Sequence, residues 1–188
     1  MKKFALLILI LMSATTFSQE NNDLFEKKAT SFTYNKNGLS PSKLTVKVNK
    51  FDKKELYEKV LEWVGEKYKD PNKVIKKKEK NDKIKIEGFT DNALCFGVKS
   101  EYSCEGLTYT IEFTFEDEEY KIKPSELYYT SKNDKKVKLD LKKSDFYTNS
   151  GDPLEGYEKI SSQIETLFNS LNKSVLNYIT NKDQEDEW

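Results

Sequence analysis

The cysteines Cys95 and Cys104 are the most reactive side chains in a sequence that contains no histidine and no arginine. Without His there is no Ser-His-Asp or Cys-His relay, no imidazole-ligated zinc and no imidazole switch near neutrality. Without Arg there is no bidentate clamp for phosphate or carboxylate. The two cysteines lie nine residues apart and can face each other across a hairpin that turns near residues 99–102. An oxidising compartment favours a disulfide, closing a loop small enough to stabilise by less than ~3 kcal/mol. Two unpaired thiols, one of them buried, are the other reading. The spacing is not Cys-x-x-Cys, so the pair carries no redox motif.

Carboxylates are abundant but not organised by any motif. A calcium site at Glu116-Asp117-Glu118-Glu119 needs converging oxygens and the glycine of an EF-hand loop, and the run reads instead as a hairpin tip. Glycoside chemistry needs two carboxylates at a defined separation in a cleft, and nothing nominates a pair among 32 Asp and Glu. No catalytic residue, metal ligand or cofactor is therefore expected. The alternative is an enzyme using carboxylates or a Lys, foremost a carboxylate-dependent hydrolase acting on an envelope polymer, and it would show a cleft lined by shifted acidic groups.

The elements that must position these side chains come after a distinctive N-terminus. Lys2 and Lys3 precede an unbroken apolar run over residues 4–12, and Thr16 and Ser18 are small residues suited to cleavage after Ser18. A membrane-spanning helix needs about 20 apolar residues, so residues 1–18 read as a signal peptide. With no cysteine following the apolar run, the lipoprotein route is closed. Export places the chain in the periplasm or outside the cell, with no transmembrane segment after processing.

Hydrophobic residues make up 36% of the 188 and charged residues 34%. The core is expected to be modest, with much of it carried by 11 Tyr and 11 Phe, which bury large areas per residue. Lys and acidic residues balance at 32 each, which argues against nucleic acid, since that partner calls for a basic face.

Residues 19–40 read as a lead-in with a short strand at 30–34, and residues 41–180 as one domain with an acidic tail at 181–188. Alternation of Leu44, Val46 and Val48 with Thr45 and Lys47 gives a half-buried strand. Residues 52–69 form a helix opened by an Asp52/Glu55 capping box and stopped at Asp70-Pro71, with Leu56, Val60, Trp63, Val64 and Tyr68 on one stripe. Four strands are expected at 81–89, 93–103, 107–115 and from Tyr120 to an interruption at Pro124. Short strands fit near Val74-Ile75 and at Val137, Leu139 and Leu141. A long helix is expected to start at Asp152-Pro153 and run about 27 residues, roughly 40 Å. Strands that each keep one polar face form an antiparallel sheet wetted on one side. The fold class is α+β, with both helices on one sheet face.

Several of these features together resemble a family of secreted bacterial domains of unknown function with a TATA-box-binding-protein-like (TBP-like) fold. They are the 44–48 strand, Glu55-Leu56-Tyr57 and Trp63-Val64 on the helix, the Ile84/Ile86 strand, and the hairpin from Tyr109-Thr110-Ile111 to Glu118-Glu119-Tyr120-Lys121. The resemblance covers residues 41–130 and implies the fold and an exported setting, with no activity to carry over.

The open sheet face is the candidate ligand surface, with Thr108, Thr110, Glu112, Thr114, Lys83 and Lys85 sharing it, joined by Thr45, Lys47 and Lys121. It mixes charge signs and lacks the apolar wedges of minor-groove binders, so nucleic acid is not the expected partner. A solvated face with Thr chosen for strand propensity is the simpler account. Tyr128, Tyr129 and the last turns around residues 175–179 are further candidate contacts. The function expected is a non-enzymatic binding or accessory module of the envelope. Its partner is a protein, peptide or envelope component held at the sheet face or edge, and its oligomeric state is unspecified.

Overall fold

Alternation in one strand organises the molecule. In the computed structural model, which describes residues 30–131 and 135–185 (side chains as far as 180), β6 (Ser103–Glu116) occupies the middle of the main sheet. Its residues Leu107, Tyr109, Ile111, Phe113 and Phe115 are all at most 2% exposed. They meet Ile84 and Ile86 from β5 (Lys83–Phe96) and Tyr120 and Ile122 from β7 (Glu119–Thr130) on the same face. β3 (Leu44–Lys47) adds to β7 on the far side, and β4 (Ile75–Glu79) adds to β5. The order is β3-β7-β6-β5-β4, antiparallel throughout, and β8 (Lys136–Leu139) pairs with the other end of β7.

Both long helices pack on the apolar face. α1 (Lys53–Lys67) opens with the capping box: Glu55 N–H donates to Asp52 Oδ1 at 2.8 Å and Asp52 N–H to Glu55 Oε2 at 2.8 Å. Its Tyr57 ring meets Phe115 edge-on at 5.7 Å, and Trp63 meets Phe113 at 6.0 Å. α3 (Ile160–Glu185) lies beside it, with Ser174 Oγ accepting from Trp63 Nε1 at 3.0 Å. Buried Tyr120 donates its hydroxyl to Asn172 Oδ1 at 2.8 Å. A hairpin of β1 (Thr33–Asn35) and β2 (Gly38–Ser40) closes the other flank of α3, where Phe32 N–H donates to Asn169 Oδ1 and Tyr34 N–H to Glu165 Oε1. Phe32, Tyr34 and Leu39, expected in a lead-in, belong to the core.

Local expectations are overturned in several places, each by a tertiary contact. The strands expected at 81–89 and 93–103 are one, β5, bent by a bulge between Thr90 and Leu94 that contains the turn-forming pair Asp91-Asn92, with Asn92 at φ +50°. Val98 lies past its end, before a 3₁₀ turn over Lys99–Glu101. Pro124 does not interrupt β7. It lies at a bulge, opposite Ile111, in the stretch where neither β3 nor β8 pairs, so its missing N–H costs no ladder bond. Pro71 ends one helix and starts another, the single turn α2 (Pro71–Val74) capped by Asp70.

The Asp152-Pro153 helix start is not used. Residues 146–157 instead form an excursion tied by Leu154 N–H to Phe146 O at 2.8 Å and Thr148 N–H to Asp152 O at 2.8 Å. Gly156, at φ +85°, lies so close to Gly97 that a Cβ would meet its backbone at 2.9 Å. The helix begins only at Ile160 and continues through Glu185, into the segment expected as a tail. The expected signal peptide, residues 19–29 of the lead-in and residues 186–188 lie outside the described residues. No helix among the described residues is long and apolar enough to cross a membrane.

Cys95 and Cys104 are paired opposite each other across β5 and β6 and joined by a disulfide. Reduction should lower stability by about 2–3 kcal/mol, the chain-entropy value for so short a loop, read as a lower urea midpoint. Tyr120→Phe should cost about 1–3 kcal/mol by stranding the Asn172 acceptor in the core, measured the same way.

Candidate functional site

The sheet register brings the predicted face residues together in cross-strand rows. Lys83 lies opposite Thr114, which lies opposite Lys121 and then Thr45. Lys85 faces Glu112 and Lys123, Glu87 faces Thr110 and Glu126, and Phe89 faces Thr108 and Tyr128. The charges on this face largely satisfy one another. Lys83 Nζ is 3.7 Å from Glu112 Oε2, Lys121 pairs with Glu116 and, at 3.4 Å, with Glu119, and Lys76 lies 3.0 Å from Glu87. Thr110 is buried rather than wet, and its hydroxyl lies 3.3 Å from Glu126 Oε2. Lys138 Nζ sits 5.8 Å from the Tyr128 ring centroid, and Tyr129 packs on Phe96.

The candidate contact at the end of α3 is core: Val175 and Ile179 are fully buried, and Tyr178 donates to Glu66 on α1 at 2.9 Å. Among the described residues, the carboxyl groups whose titration is displaced are Glu79, Asp82, Glu116 and Glu158. All are pushed below their ordinary range, the first three by hydrogen bonds from Lys77, Lys53 and Lys121 and the last by backbone hydrogen bonds. That is the opposite of what a proton donor near neutrality needs. Among the described residues, no three His, Cys, Asp or Glu side chains converge on a metal-sized site.

Two concavities border the sheet. One, of about 720 Å³, opens beside the unpaired stretch of β7 and is lined by residues including Leu39, Lys123, Lys138, Asp140 and Asp145. The other, of about 660 Å³, lies between the end of α1, the bulge of β5 and α3. It exists because β4 stops pairing at Ile86, leaving the bulged end of β5 without a neighbour on that side. Its lining includes two phenols, Tyr68 and Tyr109, whose hydroxyls are 2.9 Å apart. Gly88 makes room for them, since a Cβ there would meet the Tyr109 ring at 2.5 Å. Burial is the main force pushing both phenols up from their ordinary range, so they are neutral near pH 7.

Leu167 and Leu171 supply apolar wall, and Ser162, Thr166 and Ser170 lie along one line of α3 at i, i+4 and i+8. Gln163 Oε1 accepts from Cys95 N–H at 3.0 Å, tying the helix to the strand beside the disulfide. None of these groove residues was nominated from sequence. The available signals were the hydroxyl repeat on α3 and a turn dipeptide inside an apolar-alternating run.

An antiparallel sheet with two long helices on one face and a polar opposite face defines a TBP-like α+β domain. Residues 43–130 match the family described as a domain of unknown function (DUF4468) with TBP-like fold. The fold is similar to a crystal structure of a DUF4468 family protein from Bacteroides ovatus, with a TM-score of 0.59 and 12% identity over 73% of this chain and 84% of that one. It is also similar to a TBP-like protein from Parabacteroides distasonis, with a TM-score of 0.55 and 15% identity over 74% of this chain and 91% of that one. No curated protein matches the sequence.

Tyr68, Tyr109 and Tyr120 are raised in the folded state, chiefly by burial. Such groups stabilise the fold fully below the unfolded phenol value near 10, and that stability is lost as pH rises beyond it. Absorbance titration of tyrosinate should therefore show an early fraction of exposed phenols. A later, cooperative fraction should appear only as the fold opens in strong alkali, and Tyr68→Phe with Tyr109→Phe should shrink it.

Proposed function

We propose that the chain is an exported binding module without catalytic activity, seating its ligand in the groove beside the β5 bulge. The observation that carries this reading is the composition of that groove: buried Tyr109, half-buried Tyr68 and two leucines together with several hydroxyl and amide side chains in one concavity of about 660 Å³. Pockets for small ligands span about 300–1,000 Å³ and combine apolar walls with a few placed polar groups. The predicted open face offers less, because its charges are engaged with each other and Thr110 is buried. Export is supported by the Lys2-Lys3 start and the short apolar run after it. Against a carboxylate-dependent hydrolase, Asp91 is the sole acid among the groove's lining residues, whereas that chemistry takes two.

The test is amide NMR of the protein, purified as the cell processes it, against a library of small neutral fragments. Saturable shifts should concentrate on residues 89–93 and 162–171. Shifts on Lys83, Lys85, Thr108, Glu112 and Thr114 would return the ligand to the open face, and an absence of saturable shifts would remove the binding reading.

A further inference from the structure

On one side the sheet ends in a strand built mostly of lysine. β4 reads Ile75-Lys76-Lys77-Lys78-Glu79 and is followed by Lys80. It pairs with β5 along one side, and among the described residues no strand pairs with the other. In an antiparallel strand the N–H and C=O of successive residues point to opposite sides. Alternate residues of β4 therefore present both groups outward, and such a row is a template for a further strand.

Positive charge is in surplus along this edge. Lys76, Lys77, Lys78 and Lys80 are all exposed. Lys76 lies 3.0 Å from Glu87 and Lys77 lies 2.5 Å from Glu79, whereas Lys78 and Lys80 make no ion pair among the described residues. The register adds a like-charge contact, because Lys77 lies directly opposite Lys85, which also makes no ion pair among those residues. Like charges facing each other across two strands are destabilising. The next residue in that row, Glu112, is 3.7 Å from Lys83, and Lys123 follows it on β7. Side chains alternate between faces along a strand, so Lys77 offers its charge on the open face and Lys78 on the helix side. Lysines on an edge discourage pairing with another strand, but the deterrent is selective. It repels a second basic edge and attracts an acidic one.

We infer that the outer edge of β4 takes an acidic, extended polypeptide segment as one further strand, with its backbone bonded to β4 and its Asp or Glu side chains set against Lys77 and Lys78. A polypeptide fits this edge better than another polyanion, because its backbone supplies the alternating donors and acceptors that an open strand needs. Negative charge placed there also offsets the repulsion between Lys77 and Lys85. This surface is separate from the groove beside the β5 bulge and does not depend on it.

The test is an amide NMR titration of the protein, purified as the cell processes it, with the capped peptide Glu-Thr-Glu-Val-Glu-Thr-Glu. Three further probes are the same sequence with Lys in place of Glu, the acidic peptide N-methylated at every backbone amide, and inorganic polyphosphate. The acidic peptide should give saturable shifts on residues 75–80 and 83–87 and slow amide exchange at alternate positions of β4. Added salt should weaken its binding severalfold, since exposed charges are screened. The basic peptide should not bind, and the N-methylated one should bind at least tenfold more weakly. Lys78→Glu combined with Lys80→Glu should weaken binding roughly tenfold, the scale of a few exposed ion pairs lost and reversed, while keeping the native spectrum elsewhere. Polyphosphate or the N-methylated peptide binding as tightly as the acidic peptide overturns the strand assignment. So does an absence of saturable shifts at residues 75–80, or binding that survives the double charge reversal unchanged. Neutral fragments in the groove shift residues 89–93 and 162–171 instead, so the two surfaces stand or fall separately.

Discussion

Burial of one face of β6 is the constraint from which the other elements derive their places. Five alternate side chains of that strand are almost wholly removed from water, and a register slip of one residue would turn all of them outward. Its neighbours are thereby fixed in register on both sides, and the ten-residue ladder to β7 and the longer one to β5 carry that order across the sheet. The helices are covers for this surface. α1 presents Tyr57 and Trp63 to Phe115 and Phe113, and α3 reaches Tyr120 through Asn172. At about 25 cal/mol per Å² of buried apolar area, the buried rings add large areas to a core whose other members are Leu, Ile and Val.

Most of this architecture is legible in the sequence because it is written in short-range periodicity. The alternation at 107–115 and the stripe from Leu56 to Val64 translate directly into β6 and α1, and the Asp52/Glu55 box marks the helix start to the residue. What periodicity misreads are places where tertiary bonds overrule a local signal. Asp91-Asn92 looks like a turn between two strands, yet a single partner strand holds both sides of it. Asp152-Pro153-Leu154-Glu155 has the composition of a helix start, but backbone bonds to Phe146 and Thr148 and the close approach of Gly156 to Gly97 hold it in another shape. The groove was illegible for a related reason. It is made where β4 ends early, and strand length at an edge depends on partners that no local pattern records.

The open face and the groove illustrate two ways of disposing of polar groups. On the face, lysines and acids of adjacent strands find one another across the sheet, at separations of 3–4 Å for pairs such as Lys83–Glu112 and Lys76–Glu87. Exposed pairs of that kind contribute little to stability, but they leave few groups waiting for a partner. In the groove the uncharged side chains bond to backbone or to one another, as Gln163 does to Cys95 N–H and Tyr68 to Tyr109, and burial pushes the phenols further up from their ordinary range. Polarity carried mainly by uncharged side chains, beside the tyrosine rings, is the property that separates this concavity from the open face of the sheet.

The bonds from Phe32 and Tyr34 to Asn169 and Glu165 join positions 137 and 131 residues apart. The central strands β5, β6 and β7 are sequential hairpins and can form early, since local contacts close quickly. The flank of α3, by contrast, is completed only by chain from near the opposite terminus. During synthesis α3 emerges after every strand of the sheet, so the apolar face has no second cover until that helix has been made. The order of elements along the chain thus delays completion of the core, and a product that stops short of α3 is left with a sticky sheet covered by α1 alone rather than a smaller stable domain.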